Sequence, residues 1–197
     1  MVIHMTTPAS PLALHIIIAS TRPGRVGLAV ANWFNTFAVA QGQFSVRLVD
    51  LAQVNLPLLD EPAHPAMRKY QHQHTKEWSA LVQSADAYVI VTPEYNYGPP
   101  PALVNALNYV YREWNYKPVG FVSYGGISGG LRSVQMTKQI VTTLKMMPMV
   151  EAVTIPFVNQ HLNDAGAFVP KDFHEKTGRE LLEELHKWAL ALKPMRG

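Results

Sequence analysis

The feature that most constrains this chain is a proline-rich segment between a predicted strand and a predicted helix. Residues 87–91 are an apolar run of the kind that forms a strand buried on both faces. Residues 102–114 carry apolar side chains at helical spacing. Between them lie Pro93 and the consecutive prolines 99–101, each of which fixes φ and lacks a backbone N–H. We therefore expect a stiff loop at the carboxyl end of a central strand, where an open α/β sheet binds its ligand.

Strand and helix patterns alternate five times along the chain. This alternation predicts a parallel sheet with helices on both faces, and five units favour a flavodoxin-like α/β three-layer sandwich with strand order 2-1-3-4-5. The predicted strands are 12–19, 44–51, 87–91, 119–123 and 150–155. The predicted helices are 28–40, 74–84, 102–114, 131–145 and 171–192, the last with an apolar stripe of Leu181, Leu182, Leu185, Trp188 and Leu192.

Composition narrows the classes of function. The chain has 197 residues, 48% of them hydrophobic, and we expect residues 12–197 to form a single domain after a loose tail, residues 1–11. No apolar run approaches the ~20 residues of a membrane span, so no membrane association is predicted. The absence of cysteine excludes disulfides and thiolate catalysis and is consistent with a cytoplasmic protein. The net charge of +3 comes from scattered Lys and Arg, which does not predict nucleic-acid binding.

The loop after the first strand combines several donors suited to a phosphate. It offers hydroxyl groups, guanidinium groups and the backbone amides at the start of a helix. Neither a Walker motif nor Gly-x-Gly-x-x-Gly is present, so a single phosphate monoester fits better than a pyrophosphate. An ordinary strand–helix turn with solvated arginines is the alternative. The candidate residues are Ser20, Thr21, Arg22, Arg25, Val26 and Gly27.

The loops after the third and fourth strands open on the same edge of the predicted sheet as the first loop. Glycines in the loop 123–130 would let the backbone approach a flat ligand, although a flexible turn is also possible. The tyrosines of both loops could instead belong to the core or to an interface. The candidate residues are Pro93, Glu94, Tyr95, Asn96, Tyr97, Ser123, Tyr124, Gly125 and Gly126. His72 and His74 form no compact ligand set, so no metal site is predicted.

These motifs together resemble a known family. The run 93–96, followed by Pro100, Leu103, Asn105 and Ala106, resembles the signature of the NAD(P)H-dependent FMN reductases, a flavodoxin-like group. Residues 20–25 and 123–130 are similar to that family's phosphate loop and third segment. The chain departs from the usual pattern at Ala19, Pro101, Val104 and Asn108, where the family commonly has Gly, Gly, Lys and Asp.

The resemblance implies FMN as cofactor and NAD(P)H as co-substrate. Ser20, Arg22, Arg25 and the amides after them would hold the FMN phosphate, residues 93–97 would line the isoalloxazine ring, and residues 123–126 would cover its pyrimidine side. Hydride would pass to the flavin, and electrons would then reach a small acceptor such as free flavin or a quinone. No catalytic acid or base is predicted, because the cofactor carries the chemistry.

Two rival functions stay open at this stage. One is a flavodoxin-type electron carrier or flavin-binding module without NAD(P)H turnover, which the basic net charge disfavours. The other is a nucleotide- or sugar-phosphate-binding domain without flavin.

A group of aromatic residues predicts assembly. Tyr109, Tyr111, Arg112, Trp114 and Tyr116 fall within eight residues, too many large rings for one face of a helix to bury. We therefore predict a homodimer or tetramer formed through the helix 102–116, as the family resemblance also implies. The alternative is that these rings pack under the proline-rich segment of the same chain.

Overall fold

The computed structural model describes residues 11–196, in which five parallel strands form one sheet of order β2-β1-β3-β4-β5. The predicted fold class and strand order are therefore confirmed. The predicted tail, residues 1–11, lies outside the described residues except for Pro11. The strands are β1 (Leu12–Ile18), β2 (Phe44–Asp50), β3 (Ala87–Pro93), β4 (Pro118–Tyr124) and β5 (Met147–Ile155). The helices are α1 (Gly27–Gln41), α2 (Leu51–Val54), α3 (Gln73–Gln83), α4 (Pro101–Asn108), α5 (Leu131–Thr143) and α6 (Asp172–Leu192).

Helices cover both faces of the sheet, and each face has its own apolar core. Helices α1 and α6 pack on one face, where Phe34 and Leu185 are fully buried. Helices α3, α4 and α5 pack on the other, around Trp78 and Trp114. Because β3 and β4 are buried at every position, their sequences are continuous apolar runs rather than alternating ones.

Two strand boundaries and the buried face of one helix differ from the sequence-based predictions, each for a local reason. Strand β3 continues to Pro93, which pairs with Tyr124 at the last position of the ladder, where a missing N–H is tolerated. Strand β5 begins at Met147 rather than at residue 150, with a register irregularity between Val119 and Phe121 of β4. In α6 the buried stripe runs through Leu181, Leu185 and Ala189, so Trp188 falls at its margin and is 37% exposed.

The predicted helix 102–116 is wrong in extent. Helix α4 ends at Asn108, and a short 3-10 turn, Arg112–Trp114, follows. Two buried indoles account for the early end. Nε1 of Trp78 donates to the Ala106 carbonyl at 2.9 Å, and Nε1 of Trp114 donates to the Leu107 carbonyl at 3.2 Å. These donors satisfy carbonyls of the last turn, which therefore need no continuing helix.

Two of the aromatic residues after α4 belong to the chain's own core, whereas Tyr111 and Tyr116 are only partly buried. Tyr109 is 0% and Trp114 is 1% exposed. The Tyr109 hydroxyl donates to the Pro57 carbonyl at 3.0 Å and to the Asp60 carboxylate at 3.1 Å, in the irregular segment between α2 and α3. The prediction that these two rings lie in a subunit interface is therefore wrong, because Tyr109 packs on residues 57–60 and Trp114 packs on Trp78 and Tyr88. Within residues 11–196 no helix combines the length and apolar character needed to cross a membrane.

Candidate functional site

The loops after β1, β3 and β4 meet at the carboxyl edge of the sheet. A hydrogen bond of 2.7 Å between the hydroxyls of Ser20 and Tyr95 joins the first loop to the second. A cavity of about 150 Å³ extends across all three loops. Its lining residues are Arg22, Arg25, Val26, Pro93, Glu94, Tyr95, Tyr124, Gly125 and Val158. The structure thus brings together candidates that are up to about a hundred residues apart in sequence.

Helix α1 begins at this cavity without a cap. Its N-cap is Val26, whose side chain accepts no hydrogen bond, and no acidic residue occupies the first turn. Within the described part of the chain, the N–H groups of Val26, Gly27 and Leu28 donate to no acceptor. A fifteen-residue helix with free N-terminal donors is a ready site for an anion.

Gly27 is required by the close approach of a tyrosine. A Cβ atom at this position would lie 2.2 Å from the hydroxyl oxygen of Tyr124. Burial, followed by the neighbouring Tyr95, raises the pKa of Tyr124 above its usual value, so its phenol stays neutral at physiological pH. The neutral phenol of Tyr124 therefore lies beside the start of α1, and the hydroxyls of Ser20 and Tyr95 are hydrogen-bonded to each other in the adjoining loops.

The two candidate arginines have different environments. Arg25 forms an ion pair with Asp50 and donates from Nη1 to the Ser20 carbonyl at 3.1 Å, so it braces the first loop against the end of β2. Arg22 and Thr21 are exposed, and the Arg22 side chain has no hydrogen-bond partner among residues 11–196. Asp50 was not among the residues predicted from the sequence, although the end of β2 lies at the same edge of the sheet.

Residues 95–98 form a tight hairpin. The N–H groups of Tyr95 and Gly98 each donate to the other's carbonyl at 2.9 Å. Asn96 and Tyr97 have φ values of 49° and 69°, the left-handed pair expected of a type I′ turn. That conformation is costly for a bulky residue such as Tyr97. The Arg132 guanidinium carbon lies 3.7 Å from the Tyr97 ring centroid, while the ring remains 65% exposed.

Glu94 connects the second loop to the third loop and to α5. One carboxylate oxygen accepts from Ser128 Oγ at 2.9 Å and from the Arg132 backbone N–H at 3.0 Å. The other accepts from Arg132 Nε at 2.7 Å and contacts Nη2 at 2.6 Å. Burial alone would raise the pKa of Glu94, but the hydrogen bonds from Arg132 and Ser128 outweigh it and lower the pKa. Ser128 and Arg132 were not among the candidates, since periodicity does not indicate side-chain partners.

The candidate residues of the third loop differ in burial and in how tightly they are packed. Ser123 is fully buried in β4. Gly125 packs tightly, because a Cβ there would lie 3.3 Å from the backbone nitrogen of Gly130. At Gly126 a Cβ would meet no atom within 4 Å. An adjoining cavity of about 320 Å³ is lined by Gly125, Gly126 and the segment after β5. That segment, residues 157–160, was also missed, although topology places it at this edge.

Comparison with known proteins identifies the family. The model of the family described as NADPH-dependent FMN reductase matches residues 12–160, which include all three loops. An NAD(P)H-dependent FMN reductase of Schizosaccharomyces pombe is 39% identical over 145 residues, 72% of each chain. The chain belongs to the NADPH-dependent FMN reductase family. An NAD(P)H-dependent FMN reductase of a Nectria species is 34% identical over 148 residues, 72% of this chain and 74% of that one.

A solved structure supports the fold of this FMN reductase. The flavoenzyme NAD(P)H:acceptor oxidoreductase FerB from Paracoccus denitrificans superposes with a TM-score of 0.72 at 15% identity, covering 92% of this chain and 98% of that one. The predicted NAD(P)H-dependent FMN oxidoreductase is confirmed by the family match and the curated relatives, which do not support a carrier without NAD(P)H turnover. The donor set fits FMN: free helix amides and Arg22 suit its phosphate, and the adjoining cavities suit a ring system.

Proposed function

We propose that this reductase holds FMN across the three loops, with the phosphate at the N-terminus of α1. The observation that carries the proposal is the uncapped start of α1, which faces a cavity bordered by Arg22 and by the hydroxyl group of Tyr95. A phosphate monoester there would receive helix N–H donors and a favourable helix dipole. Arg25 contributes by bracing the first loop through Asp50.

The ring of the cofactor would lie against the second and third loops. The proposed lining is Pro93, Glu94, Tyr95, Asn96 and Tyr97 on one side and Ser123, Tyr124, Gly125 and Gly126 on the other, with backbone groups supplying most contacts. Support comes from the hairpin 95–98, whose two mutual hydrogen bonds fix the backbone, and from the open space beside Gly126. A rigid backbone floor suits a flat ligand with a polar edge.

When bound, FMN supplies the ring that accepts hydride from NAD(P)H and later gives two electrons to an acceptor. The chain's own residues position this ring and leave one face accessible. The exposed Tyr97 ring beside the site favours flat acceptors, such as a quinone or free flavin, which would stack on it. We assign no catalytic acid or base, because the carboxylate of Glu94 is already engaged by four donor contacts. A cytoplasmic site of action, consistent with a cysteine-free chain that uses NAD(P)H, is part of the same proposal.

The test is anaerobic addition of NADPH, and separately of NADH, to the FMN-loaded protein while the visible flavin absorbance is recorded. The expected result is stoichiometric bleaching by at least one of the two, followed by recovery when a quinone is added. Bound FMN whose absorbance neither nucleotide changes would identify a carrier and contradict the proposal. Failure of the protein to bind FMN at all would overturn the assignment of the site itself.

We further propose that the enzyme is a homodimer, or a pair of dimers, formed beside the hairpin 95–98. Two of the rings predicted for this role, Tyr109 and Trp114, are buried, but a different exposed surface flanks the site. Met136 of α5 is 49% exposed, and its sulfur lies 3.6 Å from where a Gly98 Cβ would be. With the exposed Tyr97 and Arg132 it combines the three residue types that are enriched in interfaces. The commonest closed arrangement is a two-fold dimer.

Light scattering on matched variants tests the assembly. Met136→Glu should shift the protein toward the monomer, because a charge in an apolar interface is unfavourable. Val150→Glu is the control, since Val150 is 83% exposed and lies on the edge strand β5 rather than on α5 or the hairpin. A wild-type mass of a single 22.0 kDa chain at micromolar concentration, with full activity, would contradict the dimer.

A further inference from the structure

A second large cavity lies at the opposite, amino-terminal edge of the sheet. It occupies about 480 Å³ between the end of α3, the turn before β4 and the turn before β5. Within residues 11–196 no carboxylate lines it. Its cationic lining residues are Arg68, Arg112, Lys117, Lys145 and Arg196. Five cations around one cavity create a strongly positive local potential.

Two of these cations form the floor of the cavity. Lys117 is 2% exposed, and its Nζ donates to the Val82 and Gln83 carbonyls at 2.9 and 3.0 Å. Arg196 donates to the Asp86 carboxylate at 2.7 Å and to the Tyr116 carbonyl at 3.0 Å. Burial, and then the charge of Arg196, lower the pKa of Lys117 to about 7. Desolvation of the buried ammonium group is the main cause of this shift, and the nearby Arg196 adds to it.

The other three cations form the rim. Arg68 is partly compensated by Glu113, at 3.2 Å from its Nε. The side chains of Arg112 and Lys145 are exposed, and neither forms a hydrogen bond or ion pair with any residue from 11 to 196. Asp86 and Glu113 are thus the two carboxylates set against five cations, and both lie behind the lining. An excess of positive charge is left facing the cavity.

The rim is built on strained backbone. Tyr116 and Lys145 both lie in the left-handed region, at φ values of 58° and 56°. The Tyr116 N–H donates to the Lys145 carbonyl at 2.9 Å, which couples the two turns. Such conformations are unfavourable for non-glycine residues and cluster at sites that clamp ligands. Here they hold the Lys145 side chain and the Tyr116 ring on one cavity wall.

We propose that this cavity binds a small molecule carrying two or more phosphate groups. Arg112 and Lys145 contact the phosphates from the rim, and the remaining N–H of Lys117 contacts them from the floor. The cavity is larger than a single phosphate requires, and Tyr111 and Tyr116 offer ring faces to an organic group attached to the phosphates. The site is separate from the FMN site, which lies at the carboxyl edge of the sheet.

Isothermal titration calorimetry on the FMN-loaded protein, at fixed ionic strength, tests this site with tripolyphosphate and with ADP. The expected result is binding to the wild type and at least about tenfold weaker binding to Arg112→Ala/Lys145→Ala, because two charge-assisted contacts are lost. The control is Arg47→Ala/Lys176→Ala, which removes the same net charge from exposed positions on β2 and α6. NADPH oxidation by both variants should match the wild type, which verifies their folding.

Each calorimetric outcome either supports or overturns the proposed phosphate-binding cavity. Loss of binding in the rim variant alone supports the site, and ADP binding tighter than tripolyphosphate then identifies a nucleotide as the ligand source. Equal affinities of the two probes identify the phosphates as the recognised part. Equal weakening in both variants would show that net charge alone is responsible and would overturn the proposal. Absence of heat with both probes at millimolar concentration would also overturn it.

Discussion

At the residue scale, we propose that Glu94 positions the loops of the cofactor site and transfers no proton. Its two oxygens make four contacts, all of them with donor groups of Ser128 and Arg132. These donors hold its pKa below the usual range in spite of burial, so the carboxylate is ionised at neutral pH. Its contribution to stability is therefore present above the unfolded-state pKa and is lost as the pH falls through the lower, folded-state pKa.

A Glu94→Gln variant separates a positioning role from a catalytic one. An amide would present N–H groups to Arg132, so the second and third loops should separate and the dissociation constant for FMN should rise roughly tenfold, about 1.4 kcal/mol. At saturating FMN, the rate of flavin reduction by NADPH in a stopped-flow experiment should stay within about threefold of wild type.

The control for this variant is Glu180→Gln, at an exposed position of α6. It should change neither quantity. A loss of about 100- to 10,000-fold in the rate at saturating FMN would instead indicate a general acid or base. That outcome would contradict the positioning role.

At the element scale, the sequence predicted strands and their order better than it predicted ends and partners. Strands β3 and β4 are buried throughout, so their apolar runs were a strong signal, and chain topology then determined which loops meet. The end of α4 carried no such signal. Its helical periodicity continues to Val110, but the indoles of Trp78 and Trp114 satisfy the terminal carbonyls from distant parts of the chain.

In the candidate site, too, some features could be predicted from the sequence and others could not. Loop composition predicted a phosphate-binding first loop and a rigid second loop, and both loops border the cavity. The hairpin at Asn96 and Tyr97 could not be predicted, because a tyrosine occupies a left-handed position where glycine is usual. Nor could the ion pair of Arg25 with Asp50, since periodicity indicates which face a side chain occupies and not its partner.

At the scale of the whole molecule, the two edges of the sheet differ in chemistry. The carboxyl edge has free helix amides, hydroxyl groups and braced loops, which suit a flat cofactor with one phosphate. The amino edge has a cavity of crowded cations, which suits several phosphates without a flat floor. We propose that the parallel sheet separates a redox site from a second anion site, and that FMN is anchored by its phosphate at the start of α1.

The most direct test of that claim compares FMN with riboflavin, which lacks the phosphate, as ligands of Arg22→Ala. Arg22 is exposed and its side chain has no partner among residues 11–196, so its removal should leave the fold intact. Fluorescence titration should show FMN binding weakened about tenfold and riboflavin binding unchanged, with Arg47→Ala as a control that alters neither. Equal losses for FMN and riboflavin, or no loss for FMN, would contradict the placement of the phosphate at α1.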